Sequence, residues 1–374
     1  MLIPILILLA TLLVLVVMYV VDDAVSLLNA RAGIAAGGSM RWSKRIVWLI
    51  LVVVFAQFFI PSEWFEPRPE QMATYGPDSL WTGADTTRLI HLPKEQRELV
   101  RYGRSLIANT AHYLGPNGTV MQNTNALNCQ NCHLDVGTRP WGNNYGAVWS
   151  TYPKFRARSG AEETVAKRIN DCVERSLNGT ALDTTGHEMR AMLAYMEWLG
   201  SGIEKGVKPK GSGIVELAFM DRAADPLQGA EIYTAKCESC HGADGQGQLN
   251  TDGRTHQYPP LWGDASYNDG AGLYRMSRFA GYVKTNMPQG VSWEYPQLSD
   301  EEAWDVAAYV NSQRRPVKDI TGDWPDIAAK PVDHPFGPFA DTLPESQHKY
   351  GPFGPIAEFK KRSNDQNPDT HRDR

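Results

Sequence analysis

Apolar residues are distributed along this chain in three regimes. From Leu2 to Val21 they are almost uninterrupted, about the length that crosses a bilayer as a helix. Ile46 to Ile60 is a second, shorter apolar run, with Trp42 and Trp64 near its ends in the manner of interfacial aromatic belts. After residue 93 the apolar positions take helical spacing between long glycine- and proline-rich loops, and from Pro316 to Pro355 the chain is proline-rich. The last dozen residues are charged, lack apolar periodicity and are expected to be disordered.

The helical pattern occurs twice. Tyr102-Gly103-Arg104-Ser105-Leu106 opens one unit, and the run from His187 to Trp198 closes it. Gly229-Ala230-Glu231-Ile232-Tyr233 opens the next, its glycine and aromatic one turn apart, a spacing that lets two helices cross closely. Ser299-Asp300-Glu301-Glu302, an N-cap with an acidic first turn, leads into the second closing helix. The expected class is mostly α: two similar helical domains in tandem, preceded by two transmembrane helices. The expected boundaries are a hairpin over 1–65, a linker over 66–93, a first domain over 94–201 and a second linker over 202–213. A second domain over 214–315 and an extension over 316–374 follow, the extension wrapping the surface in extended form.

Charge orients the hairpin. Its loop carries Arg31, Arg41, Lys44 and Arg45 against Asp22 and Asp23, so the positive-inside rule puts the loop in the cytoplasm and everything after Ile60 outside. Met1-Leu2-Ile3-Pro4 lacks the basic start of a secretory signal, which favours an uncleaved anchor. The expected location is the cytoplasmic membrane, with the domains on the periplasmic side. The net charge of -5 says little about partners, and no nucleic acid is expected among them.

Chemistry enters with a repeated pentapeptide. Cys129-Gln130-Asn131-Cys132-His133 recurs as Cys237-Glu238-Ser239-Cys240-His241. Two cysteines so spaced add to the two vinyl groups of one haem, and the following histidine reaches the iron. A zinc site would draw thiolates from both pairs and leave His133 and His241 without a role. Two covalent haem c groups are therefore expected, on the side of the membrane where such haem is attached, which makes the two helical units cytochrome c-type haem domains in tandem. Each short domain would rely on its haem for much of its core.

Of five cysteines, four are thioether positions, and Cys172 remains without a disulfide partner. It is an inert small hydrophobe, a reactive thiol or an iron ligand. It sits in a helix expected over Ala161 to Ser176, where Arg168, Cys172, Arg175 and Ser176 share a face, with Lys154, Arg156 and Arg158 just upstream. Positive neighbours favour the thiolate, the form that binds iron and attacks sulfur. The plain alternative is a buried cysteine on a solvated or salt-bridged helix. Met189, Met192 and Met196 stand at helical spacing and read as core. At the second haem the best sixth ligand is Met287, before Pro288, with Lys284 as a rival.

The stretch from about Arg97 to Gln313 resembles the di-haem thiosulfate dehydrogenases, also called tetrathionate synthases. The resemblance is carried by Asn128 to Leu134, Tyr152 to Arg158, Arg168 to Gly179 and Glu188 to Met196. It implies His133 and Cys172 as axial ligands of an active-site haem, with Arg158, Arg168 and Ser176 holding a sulfur-oxyanion. It also implies His241 with Met287 or Lys284 at a second haem that passes electrons outward. Thiosulfate and tetrathionate are then the expected substrate and product, and a cytochrome or membrane respiratory complex the acceptor. The membrane hairpin departs from the family's usual soluble, exported form and suggests delivery to a membrane acceptor. The rival expectation is a non-enzymatic electron-transfer subunit feeding a respiratory complex or terminal oxidase, for which the arginine-cysteine helix is unnecessary.

Overall fold

The computed structural model describes residues 75–366 together with Tyr19, Val20, Asp23, Ala24, Leu27, Leu28 and Arg31. Apart from Tyr19 and Val20, the two expected membrane-spanning stretches lie outside the described residues, as do Arg41, Lys44 and Arg45. Among the described residues no helix is long and apolar enough to cross a membrane. The unit from Ala73 onward carries both C-x-x-C-H segments.

The longer helices of this unit are α1 (Lys94–Ala108), α2 (Val165–Arg175) and α3 (His187–Gly200), then α4 (Pro226–Lys236), α5 (Met276–Asn286) and α6 (Asp300–Ser312), and finally α7 (Gly354–Gln366). Two crossings organise them. α1 meets α3 at Gly103, where an added Cβ would lie 1.9 Å from the Ala191 carbonyl oxygen. α4 meets α6 at Gly229, where the same atom would lie 2.0 Å from the Asp305 oxygen. Only glycine lets the backbones approach this closely, so the repeat is a repeat of helix contacts and not only of haem motifs. α6 begins as its sequence predicts: the Ser299 hydroxyl accepts from the Glu302 amide at 3.0 Å, and the Glu302 carboxylate accepts from the Ser299 amide at 2.8 Å.

Each crossing has its own apolar core. Leu106, Ile107, Leu114, Met189, Met192, Tyr195 and Leu199 fill the first, so the methionine stripe of α3 is core. Tyr233, Met276, Trp304, Val306 and Ala307 fill the second, joined by Phe353 and Ile356 from the C-terminal extension. The two domains touch directly. The Tyr282 hydroxyl of α5 donates to the Asn131 carbonyl inside the first C-x-x-C-H loop at 2.9 Å, and Asn286 donates to the Trp141 carbonyl at 3.1 Å.

Three local expectations change. The helix expected from Ala161 starts only at Val165: Ala161–Glu163 is a strand, β2, paired antiparallel with β1 (Lys154–Arg156). Thr164 separates them because its side chain accepts from the Lys167 amide at 3.2 Å and caps the helix there. Residues 75–92, expected as a polar linker, pack on the first core through fully buried Trp81 and bridge to residues 203 and 210. α7 runs on to Gln366, into the stretch expected to be disordered; its Ile356 is buried, which anchors it.

Candidate active site

The first C-x-x-C-H loop is tied to the end of α1. Its Cys129 amide donates to the Thr110 hydroxyl at 3.0 Å and Gln130 donates to the Ala108 carbonyl at 2.6 Å. His133 Nδ1–H donates to the Asn143 carbonyl at 2.5 Å, and the ring stacks on Tyr145 at 4.5 Å between centroids. A carbonyl can only accept, so Nδ1 carries the proton and Nε2 keeps the lone pair that a metal takes. Burial holds the imidazole neutral, its pKa lowered to about 4.

α2 supplies the opposite chemistry. Val165, Ile169 and Val173 recur every four residues and are buried, which fixes the helix rotation. Arg168, Cys172 and Ser176 recur every four residues on a neighbouring face, and all three line one cavity of about 460 Å³ together with Cys129, Cys132 and His133. Arg158 lines it too. Arg175, expected on the same face, instead turns away and pairs with Asp323 at 2.8 Å. The cavity is within the roughly 300–1,000 Å³ range of cofactor sites.

Its lining has two characters. Ile107, Leu114, Leu127, Met192 and Met196 offer an apolar surface suited to a flat macrocycle. Lys154, Arg156, Arg158 and Arg168 of the first domain, Lys208 of the segment after it, and Arg275 and Arg278 of the second domain make the rest cationic; no Asp or Glu lines it among the described residues. A haem brings two carboxylates of its own, so these cations exceed its need and leave charge for a small anion. A Cys172 thiolate beside Arg168 pushes that guanidinium's pKa up, against the effect of burial. Burial, then Arg168 and Arg175, pull the Arg158 guanidinium down to about 10, which leaves it charged at neutral pH.

Lys208, Arg275 and Arg278 were not singled out by sequence reasoning. Lys208 stood with Lys205 and Lys210 in an apparent linker, and that clustering was the available signal. Nothing local marks Arg275 or Arg278, because α5 brings them in from the other domain.

The second C-x-x-C-H follows α4, with Cys237 at its C-terminal cap and Cys240 and His241 in the short helix Glu238–His241. His241 is buried, and its Nδ1–H donates to the Pro259 carbonyl at 2.9 Å, again leaving Nε2 for a metal. Met287 caps α5 and packs partly buried on the second core. The rival Lys284 is committed elsewhere: its ammonium donates to the Leu298 carbonyl at 2.6 Å and pairs with Asp300 at 2.8 Å. Both donor sets therefore suit a haem c by residue type and by tautomer.

Comparison with known proteins assigns the two halves separately. Residues 119–204 match the cytochrome c domain of SoxA/TsdA, and residues 227–314 match cytochrome c. The chain is 42% identical over 205 residues to a thiosulfate dehydrogenase of Psychrobacter arcticus, spanning 54% of this chain and 61% of that one. Against the Allochromatium vinosum thiosulfate dehydrogenase it is 44% identical over 204 residues, 53% of this chain and 74% of the relative. Among solved structures, the thiosulfate dehydrogenase (TsdBA) of Marichromatium purpuratum superposes with a TM-score of 0.58 at 33% identity, over 64% of this chain and 50% of that one. The chain carries two covalently bound haem c groups, one per matched domain. With that identity across nearly three quarters of a relative, and with both haem-binding halves matched, the chain belongs to the thiosulfate dehydrogenase family.

Proposed function

We propose that this protein oxidises thiosulfate to tetrathionate at the first haem and sends the electrons through the second haem to a cytochrome or membrane respiratory complex. The observation that carries the reading is the single cavity in which a lone cysteine and a set of cations meet a haem-attachment loop. A carrier of electrons needs the loop but not Cys172, Arg158, Arg168 or Ser176 beside it.

Thiosulfate is a compact dianion, and fixed guanidinium groups recognise its oxygens without being neutralised. When the haems are bound, His133 and Cys172 would hold the first iron, and His241 and Met287 the second. Arg158, Arg168 and Ser176 bind the sulfonate end of one thiosulfate and turn its outer sulfur toward Cys172. The Cys172 thiolate and that sulfur form an S–S bond, and two electrons leave. The outer sulfur of a second thiosulfate then attacks the sulfur just bound, breaks its bond to Cys172 and restores the thiolate as tetrathionate departs. Two bound haems would accept these two electrons, one each. No proton is taken up or released. The apolar N-terminal stretches tether the domains on the periplasmic face of the cytoplasmic membrane, close to a membrane acceptor.

The test uses the full-length, haem-loaded protein in detergent, oxidised and mixed with thiosulfate. Haem reduction is followed optically and tetrathionate chemically, beside Cys172→Ser. Reduction with tetrathionate formed, and both lost in the variant, is the expected result. Haems that stay oxidised with thiosulfate yet exchange electrons with a small cytochrome would leave only the carrier role.

A further inference from the structure

The match to cytochrome c ends at residue 314, yet the chain beyond it contacts Arg158, which lines the cationic cavity. Residues 316–334 leave the second domain, cross to the first and return. Lys318 is held by Asp269, its amide donating to the carboxylate at 2.8 Å. At the far end, buried Asp333 accepts from Arg275 at 2.6 Å and from the Ser277 amide at 2.9 Å. The crossing point between these anchors is the dipeptide Asp323-Trp324.

Each of its residues grips a different arm of the site. The Trp324 amide donates to the Arg158 carbonyl at 2.7 Å, and its ring lies 6.0 Å from the Arg158 guanidinium. Trp324 does this at a φ of +60°, a left-handed conformation uncommon for a bulky side chain and kept only where the surroundings over-determine it. Next to it, Pro325 sits so close to Gly160 that a Cβ there would lie 2.5 Å from the ring, so the turn between β1 and β2 is shaped to this segment. Asp323 grips α2 instead, pairing with Arg175 at 2.8 Å, with the two side chains only 14% and 11% exposed.

The need for such a grip follows from the charges. Arg158, Arg168 and Arg175 stand close enough for each of the last two to disfavour the charge on Arg158. A half-buried guanidinium close to two others is driven toward solvent unless something holds it. Asp323 is the foremost carboxylate opposing that repulsion, and Trp324 holds the backbone from which Arg158 projects.

We propose that the Asp323-Trp324 turn is a positioning element of the anion site, clamping the Arg158 hairpin to α2 so that Arg158 and Cys172 keep the separation a thiosulfate needs. This rests on the functional reading above and extends it: the C-terminal extension is part of the substrate site.

The test measures kcat and KM for thiosulfate in full-length, haem-loaded protein, and thiosulfate affinity by calorimetry in the Cys172→Ser background, where turnover does not interfere. Trp324→Ala is expected to raise both KM and the dissociation constant about 10- to 100-fold, with kcat within about threefold and both haem spectra unchanged. Trp324→Phe, which keeps the amide and an aromatic face, recovers most of the affinity. Asp323→Asn gives a sign test: a charge effect alone would tighten dianion binding, whereas loss of the clamp weakens it. Unchanged KM and affinity in Trp324→Ala overturn the proposal, as does tighter binding in Asp323→Asn, or a fall in kcat with disturbed haem spectra at constant KM. If the parent protein neither binds thiosulfate nor makes tetrathionate, the functional reading fails and the clamp with it. If the parent does both and the variants match it, the clamp alone fails.

Discussion

The two haem domains share a frame and differ in what is inserted into it. Each crosses two helices at a glycine, Gly103 over Ala191 and Gly229 over Asp305. Each follows with C-x-x-C-H, and each fixes its histidine by an Nδ1–H bond to a loop carbonyl, Asn143 or Pro259. Between motif and closing helix, however, the first domain inserts a β-hairpin and α2, which bring Cys172 and cations to one cavity. The second inserts a short hairpin of its own (Gln248–Leu249 with His256–Tyr258) and then α5, which is capped by Met287 and pins its nearby cation, Lys284, to Leu298 and Asp300. The frame is the same in both; the insertion decides whether cations gather beside the haem-attachment loop. Domain contact adds to this, because α5 also lends Arg275 and Arg278 to the first cavity.

The sharpest break of this comparison is Cys172→Ser against Met287→Leu. Removing the proposed nucleophile is expected to lower thiosulfate turnover by about 10³-fold or more while both haems stay attached. Met287→Leu is expected to alter only the second haem's spectrum and slow electron exit, leaving thiosulfate affinity as it was. Equal loss of affinity in the two variants would erase the division of labour. The shared frame is tested by Gly103→Ala and Gly229→Ala, each of which drives a methyl into a carbonyl of the facing helix. Each should cost roughly 1–3 kcal/mol in thermal or denaturant unfolding. A large effect at one position and none at the other would mean that the crossings are not equivalent.

The contact between the domains has a smaller expected signature. Tyr282→Phe deletes the donor to the Asn131 carbonyl and should cost about 1 kcal/mol in unfolding experiments. Smallest is a pH effect in the extension. Burial raises the Asp333 pKa, but Arg275 and Ser277 outweigh it, so its folded value lies below the ordinary 3.8. Stability from this carboxylate is therefore complete above pH 3.8 and lost as pH falls through the lower folded value. Asp333→Asn should flatten the acid limb of the stability profile; a limb as steep as the parent's would assign the loss to other groups.

Much of this was legible along the chain. The two haem motifs, the glycine-aromatic helix openings and the Ser299 cap depend on residues within one or two turns of each other, and local spacing is what a sequence displays. The face shared by Arg168, Cys172 and Ser176 was equally visible, since helical periodicity alone sets it. Where local reading failed, a tertiary contact intervened. Arg175 left that face for Asp323. Residues 75–92 lost their linker character because Trp81 found a core to enter. Arg275 and Arg278 joined the site only through the packing of one domain on the other.

Read alone, then, the sequence told that two haems are attached, which histidines follow their attachment cysteines, and that a lone cysteine lies among arginines. These follow from covalent spacing and helix geometry, which act over a few residues. Only folding decided which cations share the cavity, where Arg175 points, and that Asp323 meets Arg175 and Trp324 meets Arg158. Those contacts join segments far apart in the chain, and only packing and charge in the folded state select them.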